Sequence, residues 1–306
     1  DYILELSAKS GEYSDALRQP LSVVPSVQTE AVFRNVPFEQ ISALESVRYP
    51  VRVAVYNTKL EPYLQVLQHL MYRDTARTEA LAASYEARKL YNALLPEEER
   101  ESVYKDKRLE DIFDWESGGI RILPGSEADP AATAKMLIAA PDLANSRGKK
   151  NYFLSILSDP AVTQEQRVYA YLGLAALEQP ILRDIQRLAT EERPASEKLL
   201  LGAALASFGD SAGAEQILSS LSGLRREQNG LVWYEGVNQE ETLKNTANAL
   251  LLVSLGKTDT TEGDGMALWL VEQTVNDRLA DTPVSLELLA YLKNFGFEGL
   301  PESKFS

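Results

Sequence analysis

The residues best placed to do chemistry in this chain are acids close to aromatics. Asp114, Glu116, Glu127 and Asp129 surround Trp115, and Glu235 follows Trp233-Tyr234. Paired carboxylates beside stacking rings are the equipment of glycoside hydrolysis, in which one carboxyl donates a proton and the other attacks or activates water. Their separation is spatial, so spacing along the chain neither supports nor excludes it. His69 is the single histidine, and cysteine is absent. This removes disulfides, thiolate nucleophiles, Cys-based metal sites and any site needing two imidazoles. His69 falls off the apolar stripe of its own helix, where a histidine is usually solvated. No Gly-x-Ser-x-Gly elbow presents a serine.

Other motifs fail on context. Gly256-Lys257-Thr258 lacks the glycine five positions earlier that a phosphate loop requires, since Leu251 is there. It also ends a helix rather than opening one. Ser146-Arg147-Gly148-Lys149 and Ser254–Lys257 match Ser-x-x-Lys, but no Lys-Thr-Gly or Ser-Asp-Asn partner accompanies them. Asp259 through Gly265 lacks the alternate-position acids and the twelfth-position glutamate of a calcium loop, and reads as a polar loop. No cofactor and no metal site is expected.

The bulk properties exclude classes of partner without naming a function. The chain has 306 residues and a net charge of −14. That length suits one large core with a small appendage. The acidic balance disfavours nucleic acid, which demands a basic face, and anionic membrane surfaces. No apolar run approaches the ~20 residues that span a bilayer, and residues 1–10 contain no signal-type apolar core. A start at Asp1 fits an excised domain.

Two textures divide the chain. Residues 1–56 read as extended, with short strands at Leu21–Val24 and at Val51–Val55, where valines alternate with other residues. Residues 57–306 read as helical. Leu60, Leu64, Leu67 and Met71 make one helical stripe, and Ala76–Leu95 continues as a second helix. Asp129-Pro130, Asp159-Pro160 and Thr282-Pro283 each place an N-cap before a proline at the first helical position. Gly209 and Gly256 stand where left-handed C-terminal glycines belong. Roughly ten or eleven helices fit between Lys59 and Phe295. Two loops rich in Gly and Trp, Asp114–Gly125 and Asn229–Gly236, precede alanine-rich helices near Ala131–Ala140 and Glu240–Leu255. They look like one unit used twice, and their irregular spacing favours a closed ring of helix pairs over an open solenoid.

Taken in order, Arg48-Tyr49-Pro50, Gly118-Gly119-Ile120, Pro124-Gly125, Asp129-Pro130, Thr133-Ala134, Trp233-Tyr234, Glu241-Thr242 and Thr246-Ala247 with Ala249-Leu250-Leu251 resemble the α/α-toroid thioester domain of the α2-macroglobulin/complement family, its bacterial members most of all. The resemblance spans most of residues 20–295. It implies a mainly α fold, an α/α toroid over 57–306 with the extended segment 1–56 packed on it. Further implications are an extracytoplasmic setting and a protein partner, either a protease or other domains of a larger chain. The family's Cys-Leu-Glu-Gln positions are occupied by Val53-Ala54-Val55-Tyr56, or in a shifted register by Lys59-Leu60-Glu61-Pro62. Without the sulfur no thioester forms. The expectation is therefore a non-catalytic, thioester-less toroid domain that helps to trap proteases by interaction. Its binding mouth is expected at Trp115, Glu116, Trp233 and Glu235. The alternatives are a carbohydrate-active toroid enzyme and a structural scaffold.

Overall fold

The computed structural model describes residues 2–11, 13–21, 60–72, 76–95, 97, 100, 102–144, 147–257, 260–275 and 284–294. The chain divides into two units, Asp1–Val55 and Tyr56–Ser306. Arg48-Tyr49-Pro50, Val53-Ala54-Val55-Tyr56, the strand expected at Val51–Val55 and Thr282-Pro283 lie outside the described residues.

The first unit contributes an antiparallel hairpin of β1 (Tyr2–Ser10) and β2 (Tyr13–Leu21). Ser10 pairs with Tyr13, leaving a two-residue connection that begins at Gly11 with φ +62°. Tight hairpins need such a positive φ at the first turn position, and glycine supplies it without steric cost. Glu5 and Arg18 face each other in the register and form an ion pair at 2.9 Å.

The second unit is mainly α. Among the described residues it holds twelve α-helices: α1 (Glu61–Met71), α2 (Thr78–Leu94), α3 (Pro130–Ala139), α4 (Pro141–Ala144), α5 (Lys149–Ser158), α6 (Gln164–Ala176), α7 (Leu182–Ala189), α8 (Ala195–Ser207), α9 (Ser211–Ser220), α10 (Gln239–Gly256), α11 (Thr260–Val275) and α12 (Ser285–Asn294). Between α9 and α10 lies a hairpin of β3 (Arg225–Gln228) and β4 (Leu231–Tyr234).

The helices fall into two sets by where their apolar residues lie. In α8 every residue from Leu199 to Ala206 is buried, and in α12 every residue from Ser285 to Leu292. A helix apolar all round belongs inside. In contrast, α7 buries only Ile185 and Leu188. The packing follows this division. Helix α2 packs on α3, α3 on α6, α6 on α8, α8 on α10, α10 on α12, and α12 on α2. Helices α5, α7, α9 and α11 lie against this set, and α1 rests on α2 and α11.

Local chemistry decides most boundaries. Asp129 caps α3 by accepting from the Ala132 N–H at 2.7 Å, with Pro130 in the first turn. Asp159-Pro160 does not open a helix. The Asp159 side chain instead closes a turn onto the Ala161 N–H at 2.8 Å, and α6 begins at Gln164. There Thr163 and Gln166 form a reciprocal capping box, which satisfies two donors rather than one. Gly209 takes the left-handed C-terminal position at φ +75°, whereas Gly256 stays helical and Lys257 turns left-handed at φ +49°. On α1 the buried face is Tyr63, Val66, Leu67 and Leu70. The stripe expected from Leu60, Leu64 and Met71 is displaced by one position because Tyr63 goes inside. The polar loop expected at Asp259–Gly265 is, from Thr260 on, the start of α11. Its glycines are required by close neighbours: a Cβ on Gly263 would come within 2.6 Å of the Tyr291 ring, and one on Gly265 within 2.7 Å of Val232.

The two Gly- and Trp-containing loops share one hydrogen-bonding device. The Ile120 N–H donates to Thr133 Oγ1 at 2.9 Å, and that hydroxyl donates to the Asp129 carbonyl at 2.6 Å. In the second loop the Gly236 N–H donates to Thr242 Oγ1 at 2.9 Å, which donates to the Asn238 carbonyl at 2.8 Å. Both threonines sit four residues after the capping residue of their helix. One turn later, Thr246 accepts from the Tyr234 N–H at 3.0 Å. Each hydroxyl thus satisfies an incoming loop N–H that would otherwise be orphaned beneath the loop. Thr133→Val preserves shape but strands the Ile120 N–H. We expect a loss of about 1–3 kcal/mol in urea unfolding, and a similar loss for Thr246→Val. An unchanged midpoint for both would show that the device carries no weight.

Candidate binding site

The first loop is braced before it meets any ligand. Phe113 bridges to Ile120 and Arg121 to Ala128. Within the turn the Gly118 N–H donates to the Asp114 carbonyl at 2.7 Å, and the Asp114 N–H to the Gly119 carbonyl at 3.1 Å. The Asp114 carboxylate accepts from Ser117 Oγ at 2.7 Å and from Arg121 at 3.1 Å. The hydrogen bond from Ser117, with those from the Glu116 backbone and the charge of Arg121, holds the Asp114 carboxyl below the ordinary aspartate range. A group kept ionised in this way is the opposite of a general acid, which needs a raised pKa.

Gly118 must be glycine. Its φ is +83°, and a Cβ there would lie 2.8 Å from the Gly148 carbonyl group. Gly148, itself at φ +78°, leads into α5. The contact brings Lys149 back over the loop, where its Nζ donates to the Gly118 carbonyl at 2.5 Å and sits 5.1 Å from the centre of the Phe113 ring. Lys149 is 1% exposed. Burial pushes its ammonium down to about 8, opposed by the Asp114 charge.

This amine gives a prediction with a definite sign. The folded pKa lies below that of an unfolded lysine, so the folded state binds fewer protons in the window from about pH 8 to about pH 10.5. The charge therefore destabilises the fold below pH 8, and the penalty lifts as pH rises. Compared with Lys149→Met, the native protein should gain roughly 1–3 kcal/mol of relative stability between pH 7 and pH 10. Urea titrations of both proteins at the two pH values measure it, and a gap independent of pH would refute it.

Beside the braced loop and the start of α5 is an open cavity of about 360 Å³ lined by Phe113, Trp115, Glu116, Arg147, Lys149 and Asn151, with Asp114, Ser117, Gly118 and Gly148 completing the wall. Trp115 is 72% exposed and touches Phe113 in a tilted ring pair at 5.8 Å. The four residues expected as one mouth have different surroundings. Trp115 and Glu116 line the cavity. Trp233 stacks on Trp269 of α11 at 6.1 Å, and Glu235 pairs with Arg226 at 2.6 Å. Those contacts tie Trp233 and Glu235 into the β3–β4 hairpin and α11, whereas Trp115, though paired with Phe113, and Glu116 stay exposed on the cavity.

The remaining flagged acids are accounted for. Asp129 is the cap of α3, and Glu127 is exposed in the loop before it. His69 is exposed on α1. Among the described residues no group of three His, Asp or Glu side chains is placed to hold a metal ion, and no helix is long and apolar enough to cross a membrane. In the shifted register, Leu60, Glu61 and Pro62 form the start of α1.

The sequence reading discounts Lys149 together with its Ser-x-x-Lys match, although another signal is present. A lysine in the first turn of a helix opposes the helix dipole, so its position there calls for another partner, here the Gly118 carbonyl.

A second polar cluster is buried deeper. Lys135 on α3 pairs with Glu287 on α12 at 2.6 Å, with exposures of 6% and 1%. Tyr169 on α6 lies under the same ammonium, 5.8 Å from ring centre to Nζ, and Glu79 on α2 acts on it electrostatically. Burial pulls the Lys135 ammonium down, but Glu287, Tyr169 and Glu79 outweigh it and hold the group above the ordinary lysine value. Glu165 on α6 pairs with Lys244 on α10. All these residues occupy the first two turns of their helices, so the starts of α2, α3, α6, α10 and α12 gather at one end.

No protein-family model matches this sequence, and no curated protein matches it.

Proposed function

We propose that the helical unit is an α/α toroid and acts as the thioester-less counterpart of the thioester domain of α2-macroglobulin-like proteins. In this reading it belongs to a larger bacterial envelope protein and works by binding, not by covalent capture. The observation that carries the proposal is the succession of helix contacts from α2 through α3, α6, α8 and α10 to α12, which returns to α2. The gathering of helix starts at one end supports it, since a toroid has an inner ring of parallel helices. So does the twice-used threonine device, which falls on Thr133-Ala134 and Thr242, two of the motifs that carry the resemblance.

With no cysteine in the chain, the family's acyl–sulfur bond has no sulfur. What remains is a rigid platform bearing an exposed tryptophan. The Trp115–Glu116 loop is the binding surface in this reading, and the partner is a protease held in the trap or a neighbouring domain of the same chain. Exposed aromatics beside arginine are the usual energetic centres of protein interfaces.

The test is the reading frame on either side of these residues. A secretory leader together with a series of β-sandwich domains is expected. A frame that encodes neither overturns the proposal.

A further inference from the structure

The cavity beside Trp115 has a composition that narrows its ligand. Two acids, Asp114 and Glu116, and two cations, Arg147 and Lys149, line the same space. A phosphate or carboxylate ligand would meet the acids. An ammonium or guanidinium ligand would meet Lys149, which is buried and donates to the neutral Gly118 carbonyl. Either ion would be desolvated against a like charge, which is costly in a partly enclosed site. The lining therefore selects against net charge.

It selects for hydroxyls. Glu116 offers acceptors only, Arg147 donors only, and Asn151 both. A hydroxyl donates one hydrogen bond and accepts others, so a polyhydroxylated molecule can answer all three planar groups. The same ligand needs an apolar face, because the Trp115 ring, although it meets Phe113 in a tilted pair, is 72% exposed. The loop is already fixed by the Asp114, Ser117, Arg121 and Lys149 bonds, so little ordering remains to be lost on binding. The volume of about 360 Å³ is at the small end for ligand sites.

We propose that this cavity binds a neutral oligosaccharide, with a β-linked pyranose of equatorial substituents laid on the Trp115 ring and its hydroxyls bonded to Glu116, Arg147 and Asn151. Equatorial substitution leaves axial C–H groups on both faces, which gives the flat apolar surface an indole accepts. The inference rests on the Trp115 loop being a binding surface and is independent of the family reading. Binding occurs without cleavage at Asp114, whose carboxylate is committed to Ser117 and Arg121.

Calorimetric titration of the whole chain with chitotriose, cellotriose and maltotriose tests it. Saturable binding of the β-linked trisaccharides is expected, at least tenfold weaker for maltotriose. Trp115→Ala should abolish it without moving the melting temperature, since the ring is exposed, and Trp115→Tyr should restore part of it. Glu116→Ala should weaken it several-fold. Absence of binding by all three sugars up to 10 mM, or affinity that survives Trp115→Ala, overturns the proposal. If the sugars fail while Trp115→Ala weakens association with a protein partner, the oligosaccharide is refuted and the loop remains a protein-binding surface. Insoluble chitin and a glycopeptide with a chitobiose core, used as further probes, distinguish a polysaccharide from a glycoprotein as the source.

Discussion

Lys135→Met should destabilise the helical unit by about 3–5 kcal/mol, the largest effect expected from any single polar substitution here. The change removes the ammonium that neutralises Glu287, a carboxylate 1% exposed, whose Oε2 has no hydrogen-bond partner among the described residues. It also removes the cation over Tyr169 and the charge that Glu79 feels. Glu79 keeps Arg77 at 3.0 Å, so the stranded charge is that of Glu287. The desolvation cost of that carboxylate, not the lost attraction, dominates. The double variant Lys135→Met with Glu287→Leu therefore ought to recover most of the loss, because a buried pair replaced by apolar side chains is often neutral or stabilising. Urea midpoints of the four proteins, with unchanged slopes, give the coupling. A double variant as unstable as the single one would mean that the pair does more than neutralise itself.

The second large effect belongs to a methyl group. Gly173 lies within α6, where alanine would ordinarily be preferred by about 1 kcal/mol. Here a Cβ would fall 2.1 Å from the Phe153 ring of α5, which is fully buried. Gly173→Ala should therefore cost about 1–3 kcal/mol or more through overpacking, reversing the intrinsic preference. In a Phe153→Leu background the same substitution should become neutral or stabilising, since the ring edge is gone and helix propensity prevails. A loss of equal size in both backgrounds would point to some cause other than the ring. Glycine at this position sets how closely α5 approaches α6.

The residues that were legible beforehand are those whose reasons are local. Asp129-Pro130 announced α3 because the cap and the proline need nothing beyond the next turn. Asp159-Pro160 has the same letters and failed, because a stronger local device, Thr163 with Gln166, stands four residues on. The Asn229-Gly230 dipeptide is a hairpin signal that was read only as loop. Both residues have positive φ, +54° and +81°, and Gln228 pairs with Leu231 across them. Half of the expected mouth, Trp115 with Glu116, lies on the cavity. The other half does not because Trp233 found Trp269, a partner that sequence proximity could not reveal. Lys135 and Glu287 were invisible for the same reason. Each looks like a surface charge within its own helix, and only the packing of α3 against α12 puts them together.

The pairing of Lys135 with Glu287 also has a consequence for the order of events during synthesis. Helices α2 and α3 leave the ribosome long before α12, so Lys135 on α3 is without Glu287 while most of the unit is made. Chain closure between such distant segments is slow. A nascent chain halted before Ser285 exposes the apolar sides of α2, α3 and α10 that α12 covers. Among the described residues, α12 thus covers the earliest-made helices of the set, α2 and α3. Completion of the fold is coupled to completion of the helical segment, and proteolytic trimming from that side should release the unit's earliest helices before its middle ones.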